Sequence, residues 1–114
     1  MKGVCMNTDL ALEFVEKLIE KTKEGVLEWH IAEKESLFEP SAFGCLHLGT
    51  SFYLSAFDNR CSLSVDFRKS ASTLYLEEYK DANVDASVAR LFSAVASKAP
   101  TADHFMRDFI SEIQ

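Results

Sequence analysis

Glycine and proline are scarce in this chain, four and two among 114 residues, which excludes collagen-like, low-complexity and linker-dominated architectures. Cysteine is also sparse: Cys5, Cys45 and Cys61 are an odd number at irregular spacing. No disulfide framework is encoded, and a reducing, cytoplasmic compartment is the expectation. No apolar run approaches the roughly 18–20 residues of a membrane-spanning helix. Residues 1–6 lack the apolar core of a signal peptide. A basic excess is missing too. Twelve Lys and Arg against 18 Asp and Glu leave a net charge of −6, whereas a general nucleic-acid binder needs cations to neutralise phosphates. Neither membrane nor nucleic acid is expected among the partners.

What remains is a composition suited to one folded domain, with 47% hydrophobic and 26% charged residues. A chain of this length buries enough surface to fold without a metal or disulfide staple. We expect a single α+β domain over residues 1–114, with residues 1–7 as a flexible tail. Residues 9–24 read as a helix: Leu10, Ala11, Phe14, Val15, Leu18 and Thr22 form one apolar stripe. Asn7, Thr8 or Asp9 caps its start, Glu13 and Lys17 are spaced as an i,i+4 pair, and Gly25 suits the left-handed stop.

The period then changes to two. Strands are expected at residues 26–32, 43–48, 51–57, 61–67 and 73–79, with a turn at Asp58-Asn59-Arg60. Residues 33–41 read as a loop broken by Pro40. Two helices close the chain, one carrying Val84, Val88, Leu91, Phe92 and Val95 behind an Asn83 cap. The other is capped by Thr101 after Pro100 and carries Phe105, Met106, Phe109, Ile110 and Ile113. Links between strands are too short for parallel crossovers, so the fold is a four- to five-stranded antiparallel meander with the helices on one face. Alternation then places Leu27, Trp29, Ile31, Leu46, Leu48, Phe52, Leu54, Ala56, Leu63, Val65, Phe67, Leu74 and Leu76 under the helices.

The opposite face is the informative one. By the same alternation it presents Glu28, His30, Cys45, His47, Tyr53, Ser55, Phe57, Ser62, Ser64, Asp66, Thr73, Tyr75, Glu77 and Tyr79. Four aromatic rings on a mostly polar face suit a recognition surface or a homodimer seam, although cross-strand ring pairing stabilises ordinary exposed faces too. The candidate interaction surface is therefore His30, His47, Tyr53, Phe57, Asp66, Tyr75 and Tyr79.

Chemistry-bearing patterns are weak. Cys45-x-His47 puts a thiol and an imidazole on one face of one strand, and with His30 or Asp66 this is the general form of an activated nucleophile or a zinc site. A buried free cysteine and an edge histidine account for the same residues. There is no paired CxxC and no HxxxH. Gly49-Thr50-Ser51 starts like a nucleophile elbow but has Tyr53 where the second glycine belongs, and no phosphate-binding glycine loop exists. No cofactor or metal is expected.

Leu18-Ile19-Glu20-Lys21-Thr22-Lys23-Glu24-Gly25-Val26-Leu27-Glu28-Trp29 resembles the start of small proteins of bacterial genomes and mobile elements. Those proteins similarly run helix, glycine, Trp-bearing strand, antiparallel strands and a late Leu-Phe helix, compare Leu91-Phe92-Ser93-Ala94-Val95. The resemblance implies this order of elements and a bacterial source, and it brings no activity. Two readings follow. One is a non-enzymatic protein-interaction module, self-associating or acting as an acidic inhibitor or immunity-type binder of a basic partner. The other is a small-molecule-binding or small hydrolytic protein using Cys45, His47, His30 and Asp66.

Overall fold

The computed structural model describes residues 7–34, 40–57, 60–68, 70, 72–98 and 102–113. Helix α1 spans Thr8–Lys23, and the Asn7 carboxamide oxygen accepts from the Leu10 amide at 3.0 Å as its N-cap. Its end is a Schellman motif. The Val26 amide donates to the Lys21 carbonyl at 3.0 Å and the Gly25 amide to Thr22 at 3.1 Å, with Gly25 at φ 82°. Lys17 pairs with Glu20 at 3.1 Å rather than with Glu13. Asn7 thus belongs to the helix cap and not to a tail; residues 1–6 lie outside the described set.

Five strands follow as an antiparallel meander in chain order: β1 (His30–Lys34), β2 (Pro40–His47), β3 (Thr50–Phe57), β4 (Arg60–Phe67) and β5 (Ser72–Tyr75). β1 starts later than the alternation around Trp29 suggests, because residues 26–29 carry the chain from the end of α1 down to the sheet. Trp29 ties the two together. Its indole nitrogen donates to Thr22 Oγ1 at 3.0 Å, and its ring lies 6.0 Å from that of Phe52. β2 and β3 are separate strands, and β2 begins at Pro40; residues 35–39 and the expected turn at Asp58-Asn59 lie outside the described residues, although Phe57 does pair with Arg60.

The last expected strand is cut short. After Tyr75 the chain enters a 3₁₀ turn, Leu76–Tyr79, which buries Leu76 and ends at Lys80 in the left-handed region. Helix α2 (Ala82–Lys98) is capped by Asp81, whose carboxylate accepts from the amides of Asn83 and Val84, so Asp81 takes the role expected of Asn83. α1 and α2 run side by side in the same direction. Glu16 pairs with Arg90, and Lys98 Nζ donates to the carbonyls of Thr22 and Lys23 at 2.8 and 3.0 Å, at the carbonyl end of α1 where a cation is favoured.

Both helices lie on one face of the sheet. The core is Val15, Leu18, Ile19, Val88, Leu91 and Val95 from the helices against Phe43, Cys45, Phe52, Leu54, Leu63 and Val65 from the strands. Phe14 meets Phe52 and Phe67 at 6.3 and 6.5 Å, and Phe43 meets Phe92 at 5.3 Å. α3 (Ala102–Ile113) is formed as expected but does not cover the sheet. It makes no extended contact with any other described element, and Met106, Phe109, Ile110 and Ile113 are exposed. The radius of gyration, 15.9 Å, exceeds the roughly 13 Å usual for a domain of 100 residues.

Candidate docking surface on the open sheet face

The face of the sheet turned away from α1 and α2 is built from four cross-strand rows. The central row is His30, Gly44, Tyr53, Ser64 and Tyr75. On one side of it lie Leu46, Ser51, Asp66 and Thr73. On the other lie Ala42, Ser55 and Ser62, and then Phe57 with Arg60. Small side chains make the floor: Ser55 and Ser62 hydrogen-bond across the strands at 3.0 Å. Larger ones stand above it. Leu46, Tyr53, Phe57 and Tyr75 are exposed to between 39% and 74%.

Gly44 shapes the centre. A Cβ there would come within 2.8 Å of His30 Nε2, so the missing side chain is what lets the imidazole of β1 lie across β2. His30, Gly44, Leu46, Tyr53, Ser64 and Asp66 border a shallow hollow of about 300 Å³. It is open to the outside, as a depression receiving one side chain of a partner would be.

Of the seven residues expected on this surface, five are brought together: His30, Tyr53, Phe57, Asp66 and Tyr75. His47 is not. It pairs with Thr50, which in turn pairs with Phe67, in the row that faces α1. Tyr79 is not either. In the 3₁₀ turn it packs on the core and borders an apolar pocket of about 240 Å³ with Leu10, Phe14 and Leu76.

The parity of β2 is reversed from the expectation. Phe43 and Cys45 face the helices, and Leu46 and Leu48, expected inside, are exposed. The cause is the β2–β3 hairpin. His47 pairs with Thr50, leaving a two-residue turn of Leu48 and Gly49 at φ 51° and 77°, as a type I′ turn requires. With Phe52 fixed in the core, that turn forces its partner Cys45 inward.

The reversal separates the four residues of the hydrolytic reading. Cys45 and His47 lie on the helix side, and His30 and Asp66 on the open side. Cys45 is buried, and loss of hydration pushes its thiol above the ordinary value, against a smaller lowering by the backbone of Glu28. Burial raises Cys61 as well. An activated nucleophile needs the opposite shift. Among the described residues no group of three or more His, Cys, Asp or Glu is placed to hold a metal ion, and no helix is long and apolar enough to cross a membrane.

Sequence reasoning missed Leu46, Leu48 and Gly44 as parts of the open side. The one available signal was glycine at the second position of a two-residue turn, and leucine before it masks that signal, since non-glycine residues rarely take positive φ. No family model, curated protein or solved structure matches this chain, so the resemblance at residues 18–29 rests on those residues alone.

Proposed function

We propose that this chain is a non-enzymatic protein-interaction module whose docking surface is the open sheet face. The observation that carries the reading is the placement of Leu46, Tyr53, Phe57 and Tyr75, exposed together on the one face that α1 and α2 leave uncovered. Exposed apolar side chains scattered singly are ordinary, whereas several large ones gathered on one face among small polar residues suit an interaction site. Tyrosine suits it doubly, offering a large apolar body and a polar tip. The hollow over Gly44 offers an anchoring point beside these rings.

The test is Tyr53→Ala combined with Tyr75→Ala, with association followed by light scattering and the fold by circular dichroism. Both positions are exposed, so the fold stays intact while association is lost. A variant that associates as the parent protein does overturns the proposal. The net charge of −6 favours a second reading, an acidic inhibitor of a basic partner. Salt separates the two: a complex held by charge falls apart in high salt, and one held by the apolar face persists.

A further inference from the structure

We propose that the occupant of the open sheet face is helix α3 of a second copy of this chain, in a two-fold pair in which each copy gives its helix and receives the other's. The inference rests on the reading of that face as a docking surface and names its partner. It starts from two places where large apolar side chains stand exposed, the open sheet face and one stripe of α3. Met106, Phe109, Ile110 and Ile113 form one stripe of α3 at helical spacing, each more than half exposed. The corresponding stripes of α1 and α2 are buried in the core. A helix of twelve residues is marginal in water unless its apolar side is packed. α3 therefore needs a partner, and the open sheet face offers it exposed side chains to pack on.

The two surfaces fit in size. Twelve residues at about 1.5 Å each make α3 roughly 18 Å long, and five strands spaced about 4.8 Å apart make the face roughly 20 Å across. Small side chains at Ala42, Gly44, Ser55, Ser62 and Ser64 keep the floor low enough for a helix to approach between the taller rings.

α3 does not reach the open face of its own sheet. α2 lies on the covered side and ends at Lys98, whose side chain shares a pocket with Trp29, Ile31 and Phe43 beside the edge strand β1. Three residues separate it from Ala102. Four backbone steps span at most about 14 Å. Crossing from one helix layer, past the sheet, to a helix layer on the other side takes about 20 Å, at roughly 10 Å per packed layer. The helix that fits the face comes from another molecule.

Area points the same way. At roughly 150–250 Å² per large side chain, the four residues of the face and the four of α3 together expose about 900 Å² per copy. A pair joined sheet to sheet leaves both α3 stripes in water, and a pair joined helix to helix leaves both sheets bare. The reciprocal arrangement covers everything, about 1,800 Å² of apolar surface in all, before its polar rim is counted. That lies within the standard size of specific, stable interfaces, about 1,600 ± 400 Å². The contact closes on itself by a two-fold axis, so it ends at two copies and does not propagate. Each copy carries a charge of −6, and the copies repel at long range, so added salt tightens the pair.

The experiment uses the full chain and two variants, one with Tyr53→Lys and Tyr75→Lys on the face, the other with Phe109→Lys and Ile113→Lys on α3, each checked for its fold by circular dichroism. Mass is read by light scattering at micromolar concentration. The parent chain is a dimer and each variant alone is a monomer. An equimolar mixture regains a dimer, because the intact α3 of the first variant meets the intact face of the second. A monomeric parent chain overturns the proposal, and so does a mixture that stays monomeric. An α3 variant that stays dimeric while the face variant does not overturns this inference and leaves the docking face standing. A face variant that stays dimeric overturns both. If a lysine variant fails to fold, the alanine pairs at the same positions replace it in the same mixing test.

Discussion

Cys45 shows how one position decides between chemistries. Its thiol is buried under α1 and α2 against Phe52, and burial holds its pKa up. The thiolate is the reactive form, so native Cys45 resists iodoacetamide while the unfolded chain is alkylated there, as peptide mass spectrometry reads directly. Linkage adds a second expectation. The thiol of the unfolded chain ionises above about pH 8.5 while the folded one stays protonated, so the unfolded state binds fewer protons there and stability falls as pH rises. Cys45→Ala flattens that alkaline slope in denaturant titrations. Trp29 carries a different kind of constraint. Its indole is the hydrogen-bond partner of Thr22, whose side chain is 1% exposed. Trp29→Phe keeps the ring in place against Phe52 but leaves the hydroxyl without this partner. It costs about 1–3 kcal/mol, seen as a lower denaturation midpoint; an unchanged midpoint contradicts the role assigned to the bond.

Among the elements, the β2–β3 hairpin is where local sequence and global fold disagree. Leu48 sits at φ 51° and is 86% exposed, although leucine is poorly suited to both. A left-handed non-glycine residue costs about 1–2 kcal/mol, and Asn-Gly is the favoured pair for this turn. Leu48→Asn should therefore raise stability by up to about 1 kcal/mol, measured by thermal unfolding, without changing the strand register; a destabilised variant contradicts the turn assignment. The same turn explains how much of the fold was legible. α1 and its Gly25 stop were readable because periodicity and capping chemistry agree there, while the choice of Asn7 among three possible caps was not. β3 and β4 were readable because large apolar residues at 52, 54, 63 and 65 leave one choice of face. β2 offers Phe43 and Cys45 on one side and Leu46 and Leu48 on the other, and hydropathy alone prefers the two leucines. Register came from the turn. Tyr79 was misplaced for a related reason: alternation through Leu74 and Leu76 continues smoothly into the 3₁₀ turn, which has no strand partner beyond Tyr75.

The whole molecule pairs a well-packed half with an uncovered one. α1, α2 and the inner face of the sheet close a core, while the stripe of α3 and four large side chains of the otherwise polar outer face remain exposed. An amphipathic pattern says that a helix will bury a stripe and not which molecule will cover it, which is why the sequence led α3 onto its own sheet. Five of the seven surface residues were legible because β1 at His30 and β3, β4 and β5 kept their expected parity; what joins them was hidden in the absence of a side chain at Gly44. At this scale the salt response is diagnostic. An apolar pair between copies of charge −6 strengthens or holds as ionic strength rises, and light scattering that shows dissociation in high salt points instead to a charge-held complex. The most direct measurement is hydroxyl-radical footprinting of the full chain, dilute and concentrated, with exposed Leu10 on α1 as the internal reference. The account predicts that Tyr53, Phe57 and Tyr75 become protected with Met106 and Phe109 as concentration rises. Equal oxidation of those five side chains at every concentration would contradict it.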